Sequence, residues 1–121
     1  MIEVVVVDDE TDIFPLFEIK FKKEIKAGKI RFHFFSSAKD LLDFLGKTDK
    51  KNFNYIITDI QMPDMSGLDL LQKIKERSSE QEVYIISGHL SSESSQHAKE
   101  LGAGGFFSKP IDFKKLKETI L

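Results

Sequence analysis

Tyr55-Ile56-Ile57-Thr58-Asp59 runs straight into the loop Ile60-Gln61-Met62-Pro63-Asp64-Met65-Ser66-Gly67. An apolar run ends in one carboxylate, and a loop rich in turn residues follows at once. Short apolar runs bounded by turn signals form buried strands. Asp59 therefore marks the point where such a strand leaves the core and meets water. Working outward, the other runs of this kind also end in polar groups. Residues 2–7 (IEVVVV) are nearly all β-branched and read as a strand buried on both faces, as in parallel sheets; they end in Asp8-Asp9-Glu10. Residues 82–86 (EVYII) close on Ser87-Gly88-His89. The very short strand Phe106-Phe107 precedes Lys109-Pro110. Residues 30–35 (IRFHFF) alternate, with Ile30, Phe32 and Phe34 against Arg31 and His33, which predicts a strand with one face more exposed.

Helical periodicity fills the intervals. Over residues 12–27, Ile13, Phe17, Phe21 and Ile25 recur every four positions, with lysines largely between them. Pro15 is tolerated only in a first turn, so this helix starts near Ile13 or Phe14, and Gly28 ends it. Ser36-Ser37 caps a short helix carrying Leu41, Leu42, Phe44 and Leu45. Leu68, Leu70, Leu71 and Ile74 make another helix, ending near Arg77. Residues 91–101 form a weakly apolar helix, anchored by little more than Leu90, Ala98 and Leu101. Phe113, Leu116 and Ile120 begin a last helix that Leu121 cuts short, which favours a piece of a longer protein over a stand-alone domain. Five strands alternating with five helices imply a doubly wound parallel sheet with helices on both faces. Ligands bind such sheets outside the carboxyl ends of the strands.

The totals are consistent with one domain of 121 residues. Eighteen basic and 20 acidic residues leave a net charge of −2, which gives no reason to expect nucleic acid or a membrane surface as the main partner. The absence of cysteine excludes disulfides and thiolate metal sites. No apolar run approaches the roughly 20 residues of a membrane span, and Met1 leads directly into a strand-like segment, so the expected location is the cytoplasm.

In a parallel sheet Asp8, Asp9, Asp59, Ser87 and Lys109 all stand on one edge. A lone Asp after a strand is most often a cap or turn former, but Lys109 caps nothing. Three crowded carboxylates repel: at ~4 Å and an effective dielectric of ~20, each pair costs about 4 kcal/mol. Lys109 offsets part of this. An oxygen-only, carboxylate-rich site also suits Mg²⁺, which takes few protein ligands and leaves room for phosphate oxygens. A carboxylate needs no general base to act as a nucleophile. Phosphoryl transfer needs positioning and charge neutralisation. The chemistry implied is an aspartyl phosphate on Asp59.

Val6-Val7-Asp8-Asp9-Glu10, residues 58–67, Ile86-Ser87-Gly88 and Lys109-Pro110 together resemble the receiver domain of two-component response regulators, across residues 1–121. The resemblance implies a flavodoxin-like, CheY-like sheet of strand order 2-1-3-4-5 and a phosphorylation-controlled switch that is not an enzyme in the ordinary sense. Asp59 would accept a phosphoryl group from a sensor histidine kinase or phosphotransfer protein. Asp9, Asp59 and the Gln61 carbonyl would hold Mg²⁺, with Asp8 acting through water. Ser87 would hydrogen-bond the phosphoryl group and Lys109 pair with it, across a cis Lys109-Pro110 bond. Phe106 stands at the position of the family's switch aromatic. It lacks a phenolic hydroxyl, so any switching would work through burial of its ring. Gln61 and His89 flank the site at variable positions. The expected consequence of phosphorylation is a changed surface on the fourth helix, fifth strand and fifth helix, read by an output domain or effector, or by a second copy in a phosphorylation-dependent dimer.

Other functions fit less well. A receiver-like module that binds partners without phosphate would not need the full set of Asp8, Asp9, Asp59, Ser87 and Lys109. An aspartyl phosphatase needs a second acid two residues after the nucleophile, where this chain has Gln61. A flavin or nucleotide site needs a Gly-rich loop after the first strand, where this chain has three acids. His89 reads as an exposed loop residue, His33 and His97 as surface positions, and Phe14, Phe17, Phe21, Phe32, Phe34 and Phe44 as core.

Overall fold

The β-branched runs pair as the alternation predicts. The computed structural model describes residues 1–88 and 91–121. Its strands are β1 (Ile2–Val7), β2 (Ile30–Phe35), β3 (Tyr55–Asp59), β4 (Val83–Ser87) and β5 (Gly105–Ser108). They form one parallel sheet in the order β2-β1-β3-β4-β5. Its helices are α1 (Phe14–Lys20), α2 (Lys22–Lys26), α3 (Ala38–Lys47), α4 (Gly67–Arg77), α5 (Ser92–Glu100) and α6 (Phe113–Ile120).

Side chains alternate across each strand, which divides the core into two layers. Val5, Val7, Ile56, Val83 and Ile85 face α3, α4 and α5, meeting Leu41, Leu45, Leu70, Leu71, Ile74 and Ala98. Val4, Val6, Ile57, Ile86 and Phe107 face the other way, meeting Phe17, Phe21, Leu116 and Ile120. Phe17 and Phe21 are fully buried; Phe14, Phe32, Phe34 and Phe44 are half-buried and packed against the core. Phe17 meets Phe32 and Phe113 edge-on, at centroid distances of 5.4 and 5.2 Å, a geometry aromatic quadrupoles favour.

The first predicted helix is interrupted rather than continuous. Backbone torsions leave the helical region at Phe21 (φ −106°, ψ 18°), which separates α1 from α2. The hydrogen bonds Phe21 N to Phe17 O and Ile25 N to Phe21 O nevertheless bridge the break. No proline or glycine stands there. The ring at the break is wholly buried, edge-on to Phe32 and beneath the Lys117 ammonium. Pro15 lies in the first turn of α1 as expected. Gly28 adopts φ +70°, and Lys29 N and Gly28 N donate to Glu24 O and Ile25 O. This left-handed cap explains why glycine ends the helix.

Candidate functional site

Register alone brings the chemical groups to one edge. Val7 pairs with Thr58, so Asp8 and Asp59, the next residues, stand level at the carboxyl end of adjacent strands. Asp59 pairs with Ile86, which puts Ser87 one step further out. Ser87 pairs with Ser108, and Lys109 follows. The Lys109 amide donates to the Ser87 carbonyl at 2.9 Å, and the peptide bond to Pro110 is cis.

Asp8 and Asp59 are buried at 0% and 5% exposure. Asp59 Oδ1 accepts from Gln61 N at 3.1 Å, and Asp59 Oδ2 accepts from Lys109 Nζ at 2.9 Å. Asp8 Oδ1 accepts from Glu10 N at 2.9 Å. Asp8 Oδ2 forms an ion pair with Lys109 Nζ at 3.0 Å, but off hydrogen-bond alignment. It is thus a buried oxygen without a hydrogen-bond partner among the described residues. Burial pushes the Asp8 carboxyl above its ordinary value and Asp59 adds repulsion, against the pull of Glu10 N and Lys109. For Lys109, burial acts to lower the value, but Asp59, Asp8 and Glu10 together raise it, so the ammonium stays charged.

Glu10, Asp59 and Lys109 open onto a cleft of about 720 Å³, with Asp8 buried beneath them. Asp9, Glu10, Asp59, Gln61, Gly88 and Lys109 are among its lining residues. Of the predicted site residues, Asp8, Asp59 and Lys109 are in direct contact, Asp9 and Gln61 line the cleft, and Ser87 is buried beside Gly88 in its wall. Phe106 is half-buried against the α3–α5 side of the sheet. His89 and Leu90 lie outside the described residues. One participant was absent from the predicted set: Glu10, whose Oε1 is 3.1 Å from Lys109 Nζ. Oxygens of Asp8, Glu10 and Asp59 lie within 4.8 Å of one another. An all-oxygen donor set with one orphaned buried carboxylate oxygen fits a hard divalent cation.

The loop after Asp59 is fixed in two places. A Cβ on Gly67 would stand 2.3 Å from the Asp59 carbonyl oxygen and 2.6 Å from Ile60 Cα, so only glycine allows α4 to start this close to the strand end. Asp64 accepts from Lys39 N at 3.0 Å and Ala38 N at 3.4 Å, at the start of α3. The Lys39 N–H, foremost among these donors, holds the Asp64 carboxyl below its ordinary range.

A doubly wound sheet of this strand order, with buried aspartates gathered around one lysine at its carboxyl edge, marks an α/β domain of the flavodoxin-like type. The chain belongs to the response regulator receiver domain family of two-component systems, whose model matches residues 4–121. It is 32% identical over 115 residues to the response regulator protein PilR of Pseudomonas aeruginosa, covering 95% of this chain and 24% of PilR. It is 31% identical over 78 residues to the transcriptional regulatory protein ZraR of Salmonella typhimurium, covering 64% of this chain and 18% of ZraR. The chain thus spans about a quarter or less of these relatives. Among solved structures it is similar to a CheY-like receiver domain protein from Methanospirillum hungatei JF-1, with TM-score 0.86 and 25% identity over 99% of this chain and 90% of that one. The BeF3-activated DrrB receiver domain aligns with TM-score 0.81 and 26% identity, over 99% and 94% of the two chains. Among the described residues no helix is long and apolar enough to cross a membrane.

Proposed function

We propose that Asp59 accepts a phosphoryl group from the phosphohistidine of a sensor histidine kinase or phosphotransfer protein, in the cytoplasm, and so switches the domain's partner preference. One observation carries this: the Asp59 carboxylate is held by Gln61 N and Lys109 Nζ at the floor of an open cleft, beside the orphaned Asp8 oxygen. An Asp59 oxygen attacks phosphorus, the P–N bond breaks, and the imidazole leaves with the bonding electrons. Mg²⁺, when bound, would neutralise charge on the transferring group; Asp8, Asp9, Asp59 and the Gln61 carbonyl would hold it. Lys109 pairs with a phosphoryl oxygen and the Ser87 hydroxyl donates to another. Hydrolysis of the acyl phosphate resets the switch.

The surface that responds is α5, β5 and α6, with Phe106 as the moving ring. α5 has a single buried residue, Ala98, and sparse burial goes with low local stability. An output domain, an effector or a second copy reads that surface. Intact-mass analysis after incubation with acetyl phosphate tests the chemistry. One phosphoryl adduct that needs Mg²⁺ and is lost in Asp59→Asn is the expected result. No adduct, and no beryllofluoride complex at Asp59, would leave the chain a phosphate-independent interaction module.

A further inference from the structure

We propose that Glu10 is a positioning residue that holds the Lys109 ammonium toward the mouth of the cleft and competes for it with the phosphoryl group on Asp59. The proposal rests on the phosphoacceptor reading above. An ammonium has three N–H donors. Three carboxylates surround Lys109 Nζ: Asp59 Oδ2 at 2.9 Å, Asp8 Oδ2 at 3.0 Å and Glu10 Oε1 at 3.1 Å. Asp59 and Glu10 accept hydrogen bonds from it and Asp8 pairs with it off alignment, so a fourth anion brought to the same ammonium competes with all three for its charge.

The three are not equivalent. The Asp8 and Asp59 side chains are 0% and 6% exposed, whereas that of Glu10 is 71% exposed. The two buried carboxylates sit where a divalent cation would neutralise them and weaken their hold on Lys109. Glu10 lies on the solvent side and keeps its charge. It is then the remaining anionic rival to a phosphoryl oxygen. Its backbone is fixed for this role, because Glu10 N donates to Asp8 Oδ1 and closes a tight turn after β1. Reach matters as well. Aspartate at position 10 would be one methylene, about 1.5 Å, too short.

The test compares wild type, Glu10→Gln, Glu10→Asp and Asp12→Asn in saturating Mg²⁺. Asp12 is a neighbouring exposed acid that makes no ion pair with Lys109. Beryllofluoride affinity is read by ¹⁹F NMR, and the Lys109 ammonium resonance is followed in metal-free protein. Both position-10 variants should bind beryllofluoride about two- to fivefold more tightly, the scale of one exposed ion pair. Both should also shift the ammonium signal, and Asp12→Asn should do neither. Tightening in Glu10→Gln but not in Glu10→Asp would reduce Glu10 to a diffuse charge and overturn the proposal. So would unchanged affinity in both variants, or weaker Mg²⁺ binding in Glu10→Gln, which would make Glu10 a cation ligand. A wild type with no adduct at Asp59 would overturn the phosphoacceptor reading itself; a wild-type adduct with indifferent variants overturns the proposal alone.

Discussion

The two ends of the sheet treat buried polar groups in opposite ways. At the amino end every buried side chain described is matched. Gln81, 1% exposed, accepts from Phe53 N at 2.8 Å and donates to Phe53 O and Glu82 O, both at 2.9 Å. Arg77 donates to the carbonyls of Leu45, Lys50 and Lys51 at 3.2, 2.7 and 2.9 Å, closing the loop between α3 and β3. Asn54 and Glu3 exchange hydrogen bonds at 2.8 and 3.0 Å. At the carboxyl end three carboxylates share one ammonium, and a buried oxygen has no hydrogen-bond partner among the described residues. A satisfied network rigidifies a fold, whereas an unsatisfied one stores unfavourable energy that a ligand can release. One end holds the domain together and the other is poised for an incoming cation and phosphoryl group.

The sharpest way to break this contrast is at Gln81. Gln81→Ala would strand the Phe53 N–H and carbonyl in a buried site, at about 1–3 kcal/mol for each group left unsatisfied. A loss of about 3 kcal/mol in urea denaturation is expected, with Asp59 chemistry intact in the fraction that stays folded. A loss under 1 kcal/mol would mean that the amino end is no more committed than an ordinary loop.

The opposite sign is expected at the carboxyl end. Asp8→Asn keeps the shape, removes one of the crowded charges and ends the burial of a carboxylate oxygen that accepts no hydrogen bond among the described residues. It should stabilise the metal-free protein by about 1 kcal/mol while weakening Mg²⁺ binding at least tenfold, both measurable by thermal melts with and without the ion. A destabilised Asp8→Asn would show that the Asp8–Lys109 pair is worth more than the repulsion it offsets.

The same contrast explains what could be read beforehand. Asp8, Asp59 and Lys109 each follow an apolar run, so periodicity pointed at them and the parallel register did the rest. Glu10 carries no such signal. It is the third acid in a row, and only the turn closed by its own N–H onto Asp8 brings it against Lys109. Gln81 and Phe53 lie in stretches that read as polar connections, although Phe53 is 5% exposed. A single buried residue in a loop has no period to betray it. The break at Phe21 left no mark either, because no proline or glycine stands there to signal it.

His33, read as a surface residue, offers the smallest and most discriminating effect. Its ring is half-buried, with Phe44 and Phe53 at centroid distances of 5.6 and 5.7 Å, and Nε2 is 3.2 Å from Glu3 Oε1. Glu3 is also paired with Lys50, and Arg31 lies on the same strand. Burial lowers the His33 value first, and Arg31 adds to it, despite the Glu3 contact. The folded state thus binds its proton less readily than the unfolded chain, whose histidine titrates near pH ~6.5. Below that value the unfolded state carries more protons, so stability falls as pH drops and is fully present above it. Between pH ~7.5 and ~5.5 the wild type should lose stability relative to His33→Phe, in which the titration is gone but the aromatic packing remains. Urea midpoints at the two pH values give the difference, and the common carboxylate titrations cancel. A relative gain on acidification would mean that the Glu3 carboxylate outweighs burial, and that the amino end, like the carboxyl end, responds to charge.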